Sequence, residues 1–133
     1  MVDTTLSYSK GPTDSPLIEL TIGALLDQVA QRYPDNDALV SLHQGLRYSY
    51  REFHHAAERC ARALMALGLQ AGDRVGIWSP NRAEWTILQF GSSKIGAILV
   101  NINPAYRLNE LEYALQQSAC AALVIAGKFK TSD

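Results

Sequence analysis

Apolar residues recur at helical spacing in four segments of the chain and form unbroken runs in three others. The helical segments are predicted to begin near Thr21, Ser49 and Asn81, with a fourth around Leu108, Leu111 and Leu115. The unbroken runs are RVGIW (74–78), AILVNI (97–102) and AALVIA (121–126). Short apolar runs without polar alternation are typical of parallel strands that are covered on both faces.

The segment between the first two helices predicts a β-hairpin. Its strands cover 38–43 and 46–50, and the turn is Gln44-Gly45. Ser49 and Glu52 have the spacing of a capping box at the start of the second helix. The predicted fold is therefore α/β, with the order helix, β-hairpin, helix and then βαβαβ, and with helices on both faces of a parallel sheet.

The predicted domain organisation is simple. Residues 1–20 are rich in Thr, Ser, Gly and Pro, show no period and predict an extended lead-in. Residues 21–133 are predicted to form one α/β subdomain. The whole chain has 133 residues, of which 47% are hydrophobic, which suits one core and is too short for two ordinary domains.

Charge and leader composition bear on partners and location. Twelve Lys and Arg nearly balance thirteen Asp and Glu, so no nucleic-acid partner or anionic membrane surface is expected. No stretch approaches the ~20 apolar residues that a membrane span needs.

The start of the chain and the cysteines bear on its location. The first sixteen residues lack a basic start, an apolar core and the arginines of a mitochondrial leader. Cys60 and Cys120 are interpreted as reduced thiols. A cytoplasmic location is predicted.

Ligands in open α/β sheets bind outside the carboxyl ends of the strands. These ends are predicted at Ser79, Asn103 and Gly127, where no carboxylate is present to hold a divalent metal. The first strand-to-helix turn has no glycine, which excludes a dinucleotide fingerprint. His54 and His55 are neighbours on a helix and point roughly 100° apart, so they are predicted not to share a metal. No catalytic or metal-binding residue is predicted.

An ordered series of short motifs resembles the start of the acyl-adenylate-forming enzymes. The series consists of RYSYREF (47–53), GDRV (72–75), the Pro-Asn turn at 80–81, and GAILVNINP (96–104). No single motif is decisive, but together they place residues 20–130 alongside this superfamily. The segment NINPAYRLNELEYAL is most similar to medium- or long-chain fatty acyl-CoA synthetases.

The resemblance implies an ATP-dependent enzyme. Such enzymes bind ATP with Mg²⁺ and a fatty acid, form an acyl-AMP, and pass the acyl group to coenzyme A. In this superfamily the phosphate loop, an ATP-binding aspartate and a catalytic lysine lie further along the chain. The chain is therefore interpreted as the N-terminal portion of an acyl-CoA synthetase that is inactive by itself and binds none of these cofactors tightly.

The resemblance also nominates residues beside the path of coenzyme A. The candidates are Asn103, Pro104, Ala105 and Tyr106, with Lys128 and Lys130 as neighbours of phosphate groups. The ring of Tyr106 could stack on an adenine or pantetheine group, and the lysines would act as point charges. The structural alternative is that the Asn-Pro turn ends a strand and Tyr106 packs on the sheet edge. Arg107 stands where relatives carry a Ser or Thr cap, which predicts a cap weaker by ~1 kcal/mol.

A second hypothesis is a free-standing α/β interaction module without catalysis. If the chain is instead a fragment, its truncated sheet should leave an unpaired strand edge and an apolar face, so dimerisation or aggregation through the exposed sheet edge is expected.

Overall fold

The computed structural model describes Ser7 and residues 10–128. Residues 10–20 are exposed and contain no helix or strand. The helices are α1 (Ile22–Arg32), α2 (Tyr50–Ala66), α3 (Ala83–Lys94) and α4 (Leu108–Ser118). The strands are β1 (Asp37–Ser41), β2 (Leu46–Ser49), β3 (Arg74–Trp78), β4 (Ile98–Ile102) and β5 (Ala122–Ile125).

The strands form two separate sheets. β1 and β2 make an antiparallel hairpin, and β3 lies between β4 and β5 in a parallel sheet of order β4-β3-β5. In the register of this sheet, Gly76 pairs with Val100 on one side and Leu123 on the other. The predicted hairpin, parallel sheet and order of elements are confirmed. The first hairpin strand ends at Ser41 and not at residue 43, because Leu42–Gln44 form a 3₁₀-helix in place of the predicted two-residue turn.

Side-chain caps explain where the first two helices begin. The hydroxyl of Thr21 accepts a hydrogen bond from the Ala24 N–H at 3.1 Å. At α2, the hydroxyl of Ser49 accepts from the Glu52 N–H, and the Glu52 carboxylate accepts from the Ser49 N–H at 2.8 Å. The bonds that the Glu52 carboxylate accepts from the Ser49 N–H and the Ser49 hydroxyl lower the pKa of Glu52, because they stabilise its charged form. The predicted capping box is confirmed.

The core has two connected parts. Val75 and Ile77 of β3 are fully buried and pack with Leu64 of α2 and Leu88 of α3. A second cluster consists of Leu26, Phe53 and Ala57, with hairpin residues packed around it. Gly76 is directed to the other face of the sheet, toward Ile102, Cys120 and Leu123, and α4 contacts β4. Helices therefore cover both faces, as predicted.

Several apolar positions that the sequence pattern placed in the core are exposed, and Leu67, Ile22 and Ile125 illustrate why. Leu67 is outside α2, which ends at Ala66, and its exposed fraction is 75%. Ile22 lies in the first turn of α1, and Ile125 ends the edge strand β5. The prediction of burial was wrong at these positions because a sequence period does not show where an element ends or which strand is at the edge.

Among the described residues, no helix combines the length and the apolar character that crossing a lipid bilayer requires.

Candidate functional site

The carboxyl ends of the three parallel strands form one edge of the domain, at Trp78, Ile102 and Ile125. In an open α/β sheet this edge is where ligands bind. A cavity of about 290 Å³ opens here beside β3, β5 and the start of α3. Its lining consists of Ile77, Ser79, Arg82, Glu84, Trp85, Val124, Ile125, Ala126 and Gly127.

A charged pair lies at the mouth of this cavity. The guanidinium of Arg82 donates to both carboxylate oxygens of Glu84 at 3.3 Å, and the side-chain amide of Gln44 donates to one of them at 2.9 Å. The hydrogen bonds from Arg82 and Gln44 lower the pKa of Glu84 to about 2. Glu84 is therefore an anion at neutral pH, suited to fixing Arg82 rather than to transferring a proton.

The hairpin supplies the cap of α3. The side-chain oxygen of Gln44 accepts a hydrogen bond from the Ala83 N–H at 2.8 Å. The residue at the N-cap position is Arg82, whose side chain makes no capping bond. The helix begins near Asn81, as predicted, but the Asn81-Glu84 spacing, which resembles a capping box, does not cap it, because Gln44, 39 positions before Ala83, provides the acceptor.

The Asn103–Tyr106 turn follows β4. The side-chain oxygen of Asn103 accepts from the Ala105 N–H at 2.9 Å, and its carbonyl accepts from the Tyr106 N–H at 3.0 Å. The indole of Trp78 also donates to this carbonyl at 3.1 Å, which ties the turn to β3. The polar groups of Asn103 thus hold the turn, as in the structural alternative, whereas the Tyr106 ring is exposed.

Arg107 is the N-cap residue of α4 and makes no side-chain capping bond, as expected for a side chain that only donates. The Glu110 carboxylate accepts from the Arg107 N–H at 3.0 Å, so one half of a capping box is present.

The nominated residues do not line one cavity. Lys128 is exposed and follows β5, on the opposite side of β3 from Asn103. Two strand spacings separate the two turns, which amounts to about 10 Å. Lys130 lies outside the described residues. None of the residues 103–106 lines the cavity between β3, β5 and α3.

Both cysteines are free thiols, as predicted. Burial raises the pKa of Cys60, so its thiol stays protonated at neutral pH and is a poor nucleophile.

A second polar cluster lies away from the carboxyl edge, where α1, α2 and α3 meet. The ligating atoms of His54, His55 and Glu58 lie within 4.8 Å of one another. The prediction that the two histidines do not share a metal stays a prediction. Glu58 lies one helical turn further along, at an angle between the two imidazoles, and brings a carboxylate within reach of both.

A parallel sheet whose carboxyl edge carries the turns is typical of α/β domains that bind ligands at that edge. The family model described as AMP-binding enzyme matches residues 26–133. The chain belongs to the AMP-binding enzyme family, and the resemblance noted in the sequence is confirmed.

Three similar proteins illustrate this relationship. The chain is 43% identical over 128 residues to the medium-chain acyl-CoA ligase ACSF2, mitochondrial, of Mus musculus, covering 96% of this chain and 21% of that protein. It is 45% identical over 114 residues to the putative acyl-CoA synthetase YngI of Bacillus subtilis (strain 168), covering 86% and 21%. The N-terminal domain of FACL13 from Mycobacterium tuberculosis has a TM-score of 0.79 at 33% identity, covering 81% and 28%. The chain spans about a fifth of the length of these curated relatives.

The predicted cytoplasmic location is contradicted by the relatives. The ACSF2 proteins of mouse, rat and human, which the chain matches at 41–43% identity, are named as mitochondrial. The prediction relied on the absence of a leader at the start of the chain. Targeting segments are processed and take no part in the fold, so the composition of a folded domain does not report its compartment.

Proposed function

We propose that the protein carrying this domain is an ATP-dependent acyl-CoA synthetase for medium- or long-chain fatty acids. The observation that carries the proposal is the family match over residues 26–133, together with 43% identity to a medium-chain acyl-CoA ligase. The fold supports it, since the structural relatives include the N-terminal domain of FACL13. A free-standing interaction module has no comparable support.

The proposed reaction has two steps. The fatty-acid carboxylate attacks the α-phosphorus of ATP and releases pyrophosphate, which converts a poor electrophile into an acyl-AMP. The thiol of coenzyme A then attacks the acyl carbon, and AMP leaves. Mg²⁺ would neutralise the phosphate charges during the first step.

The described residues at the carboxyl edge do not fit an ATP-Mg²⁺ site by themselves. The strands are followed by Ser79, Asn103 and Gly127, which bring no carboxylate for the metal. Arg82 is paired with Glu84 and is not available as an isolated phosphate ligand. We therefore propose that residues outside this chain hold ATP and Mg²⁺.

A pyrophosphate-exchange assay tests whether ATP binding requires residues outside this chain. Full-length protein should exchange labelled pyrophosphate into ATP when a medium- or long-chain fatty acid is present. The 133-residue chain alone should show no fatty-acid-dependent exchange, because it lacks the ATP-binding groups. Exchange by the short chain would contradict its proposed inactivity, and no exchange by the full-length protein with any fatty acid would contradict the proposed function.

We also propose that the Asn103–Tyr106 turn, with Lys128 and Lys130, borders the path of coenzyme A. Two observations support this proposal. Tyr106 and Lys128 are exposed, and the turns after β4 and β5 that carry them lie at the carboxyl edge of the sheet. The bonds from Trp78 and within the turn hold the Tyr106 backbone in place. A fixed aromatic ring provides a stacking surface with little loss of conformational entropy.

Replacing Tyr106 with alanine should raise the KM for coenzyme A by about 2- to 10-fold, since one aromatic contact contributes roughly 0.5–1.5 kcal/mol. Fatty-acid-dependent pyrophosphate exchange should stay unchanged, because that step precedes coenzyme A. The control is Tyr113→Ala, which removes an exposed tyrosine from α4. An equal effect of both substitutions, or a loss confined to the exchange step, would contradict the proposed position of Tyr106.

Dimerisation of the 133-residue chain through the sheet edge is a further part of this proposal. Ile98 on β4 and Ile125 on β5 are exposed, and within the described residues each strand pairs only with β3. An exposed edge of this kind favours pairing with a second chain.

A further inference from the structure

The His54-His55-Glu58 cluster combines two imidazoles and one carboxylate on the first turns of α2. His54 Nε2 lies 3.7 Å from one oxygen of Glu58, and His55 Nδ1 lies 3.8 Å from the other. Donor atoms around a tetrahedral zinc ion, with bonds of about 2.0–2.1 Å, stand about 3.3–3.5 Å apart. The ligating atoms of the three residues lie within 4.8 Å of one another, so the side chains would have to rotate and bring them closer to surround one ion.

The cluster is accessible to an ion. His55 is largely exposed, Glu58 is partly exposed, and His54 is 21% exposed. A cavity of about 270 Å³ is lined by both histidines together with residues of α1, Pro34 and Arg51, and Glu58 lies outside this lining. Three protein ligands would therefore leave a fourth position open to water.

His54 is held in place by its neighbours. Its Nε2 atom lies 2.8 Å from a carboxylate oxygen of Asp27 on α1, and Lys94 of α3 donates to the same oxygen. An ion on Nε2 would replace this hydrogen bond, because one imidazole nitrogen cannot donate to Asp27 and ligate a metal at the same time. The Asp27 carboxylate would then remain beside the ion as a negative charge.

Two cations limit the strength of such a site. The Lys94 ammonium lies 3.5 Å from His54 Nε2, and the Arg62 guanidinium lies 3.8 Å from Glu58. Each is close to a carboxylate that offsets its charge. The electrostatic potential at the cluster is therefore less favourable for a cation than in a closed structural zinc site, so metal binding should be weaker and reversible.

From this arrangement we propose that His54, His55 and Glu58 form a binding site for a divalent transition-metal ion of the zinc class. Imidazole and carboxylate donors match the ligand preferences of Zn²⁺. The site lies on the helical face of the domain, remote from the carboxyl edge, and is independent of the proposed acyl-CoA synthetase reaction.

Equilibrium dialysis of full-length protein against ZnCl₂, with bound metal measured by atomic absorption, tests this proposal. The number of bound zinc ions should fall by one in His55→Gln. The His55 side chain is 61% exposed, and circular dichroism checks the fold of the variant. The control is His43→Gln, which changes the third histidine of these 133 residues and should leave the number of bound ions unchanged.

Unchanged zinc binding in His55→Gln would overturn the proposal, because the ion would then lie elsewhere, for example at the thiols. A fall of one ion in His43→Gln would also overturn it. Activity plays no part in this readout, so failure of the zinc site is distinct from failure of the proposed acyl-CoA synthetase function.

Discussion

Substituting alanine for Gly91 should lower the free energy of unfolding by about 1–3 kcal/mol, the usual cost of overpacking. Gly91 lies in α3 where this helix crosses α2. A Cβ at this position would stand 2.7 Å from Cys60 Sγ, 2.8 Å from Cys60 Cβ and 3.2 Å from the Ala57 carbonyl oxygen. Two of these atoms are fixed to the α2 backbone, so the two helices would have to separate.

The sign of the stability change in Gly91→Ala distinguishes overpacking between α2 and α3 from the gain in helix propensity. In an exposed helix, Gly→Ala stabilises by roughly 0.8–1 kcal/mol, because alanine has less backbone entropy to lose. Urea unfolding of Gly91→Ala should therefore show destabilisation despite the better helix propensity. Gly11→Ala serves as the control, since no atom lies within 4 Å of its Cβ position. A stabilised Gly91→Ala variant would contradict the close approach of α2 and α3.

Removing the Asp27 side chain should cost about 1–2 kcal/mol at neutral pH, through loss of the acceptor shared by Lys94 and His54. Lys94 is only 12% exposed, and its ammonium would lose its counter-charge in Asp27→Ala. Urea unfolding measures the loss. The expected loss in the free energy of unfolding is small because the Asp27 side chain is 45% exposed and solvent partly screens its charge.

The effect of Asp27→Ala should depend on pH. Desolvation of the carboxylate acts to raise the pKa of Asp27, but hydrogen bonds from Lys94 and His54 outweigh it, and the pKa is lowered from 3.8. A carboxyl group with a lowered folded-state pKa stabilises the protein above its unfolded-state pKa and loses this contribution as the pH falls through the folded-state value. The difference between wild type and Asp27→Ala should therefore be full at pH 7 and shrink below pH 3.8.

Asp37→Ala is the control for this prediction. Asp37 pairs with Arg47 on the hairpin, but both side chains are more than half exposed. Exposed ion pairs contribute about 0–1 kcal/mol, so the stability should change little. Equal losses in Asp27→Ala and Asp37→Ala would contradict the special role assigned to the α1–α3 bridge.

Local patterns in the sequence were sufficient for most of the architecture. The boundaries of β3 match the predicted run 74–78, and the caps at Thr21 and Ser49 lie where the spacing placed them. Both features depend on residues within a few positions of one another. The family resemblance depended in the same way on short motifs in a fixed order, and the match over 26–133 confirms it.

Features formed by distant residues were missed. The cap of α3 is Gln44, whose position in a hairpin gives no local signal for a helix 39 residues later. The Asp27-Lys94 bridge joins residues 67 positions apart. Burial of Ile125 was overestimated because its run is as apolar as the others, and only the sheet order shows that β5 is an edge strand. The coenzyme A residues remain a prediction.

The cap provided by Gln44 also has a consequence for the order of folding. The first turn of α3 obtains its acceptor only after the hairpin has docked, since 39 residues separate Gln44 from Ala83. Closing a loop of this length has an entropic cost that a local cap avoids. One amide side chain therefore couples the formation of α3 to that of the hairpin, and the start of the helix is completed late, by tertiary assembly rather than by nucleation within the helix.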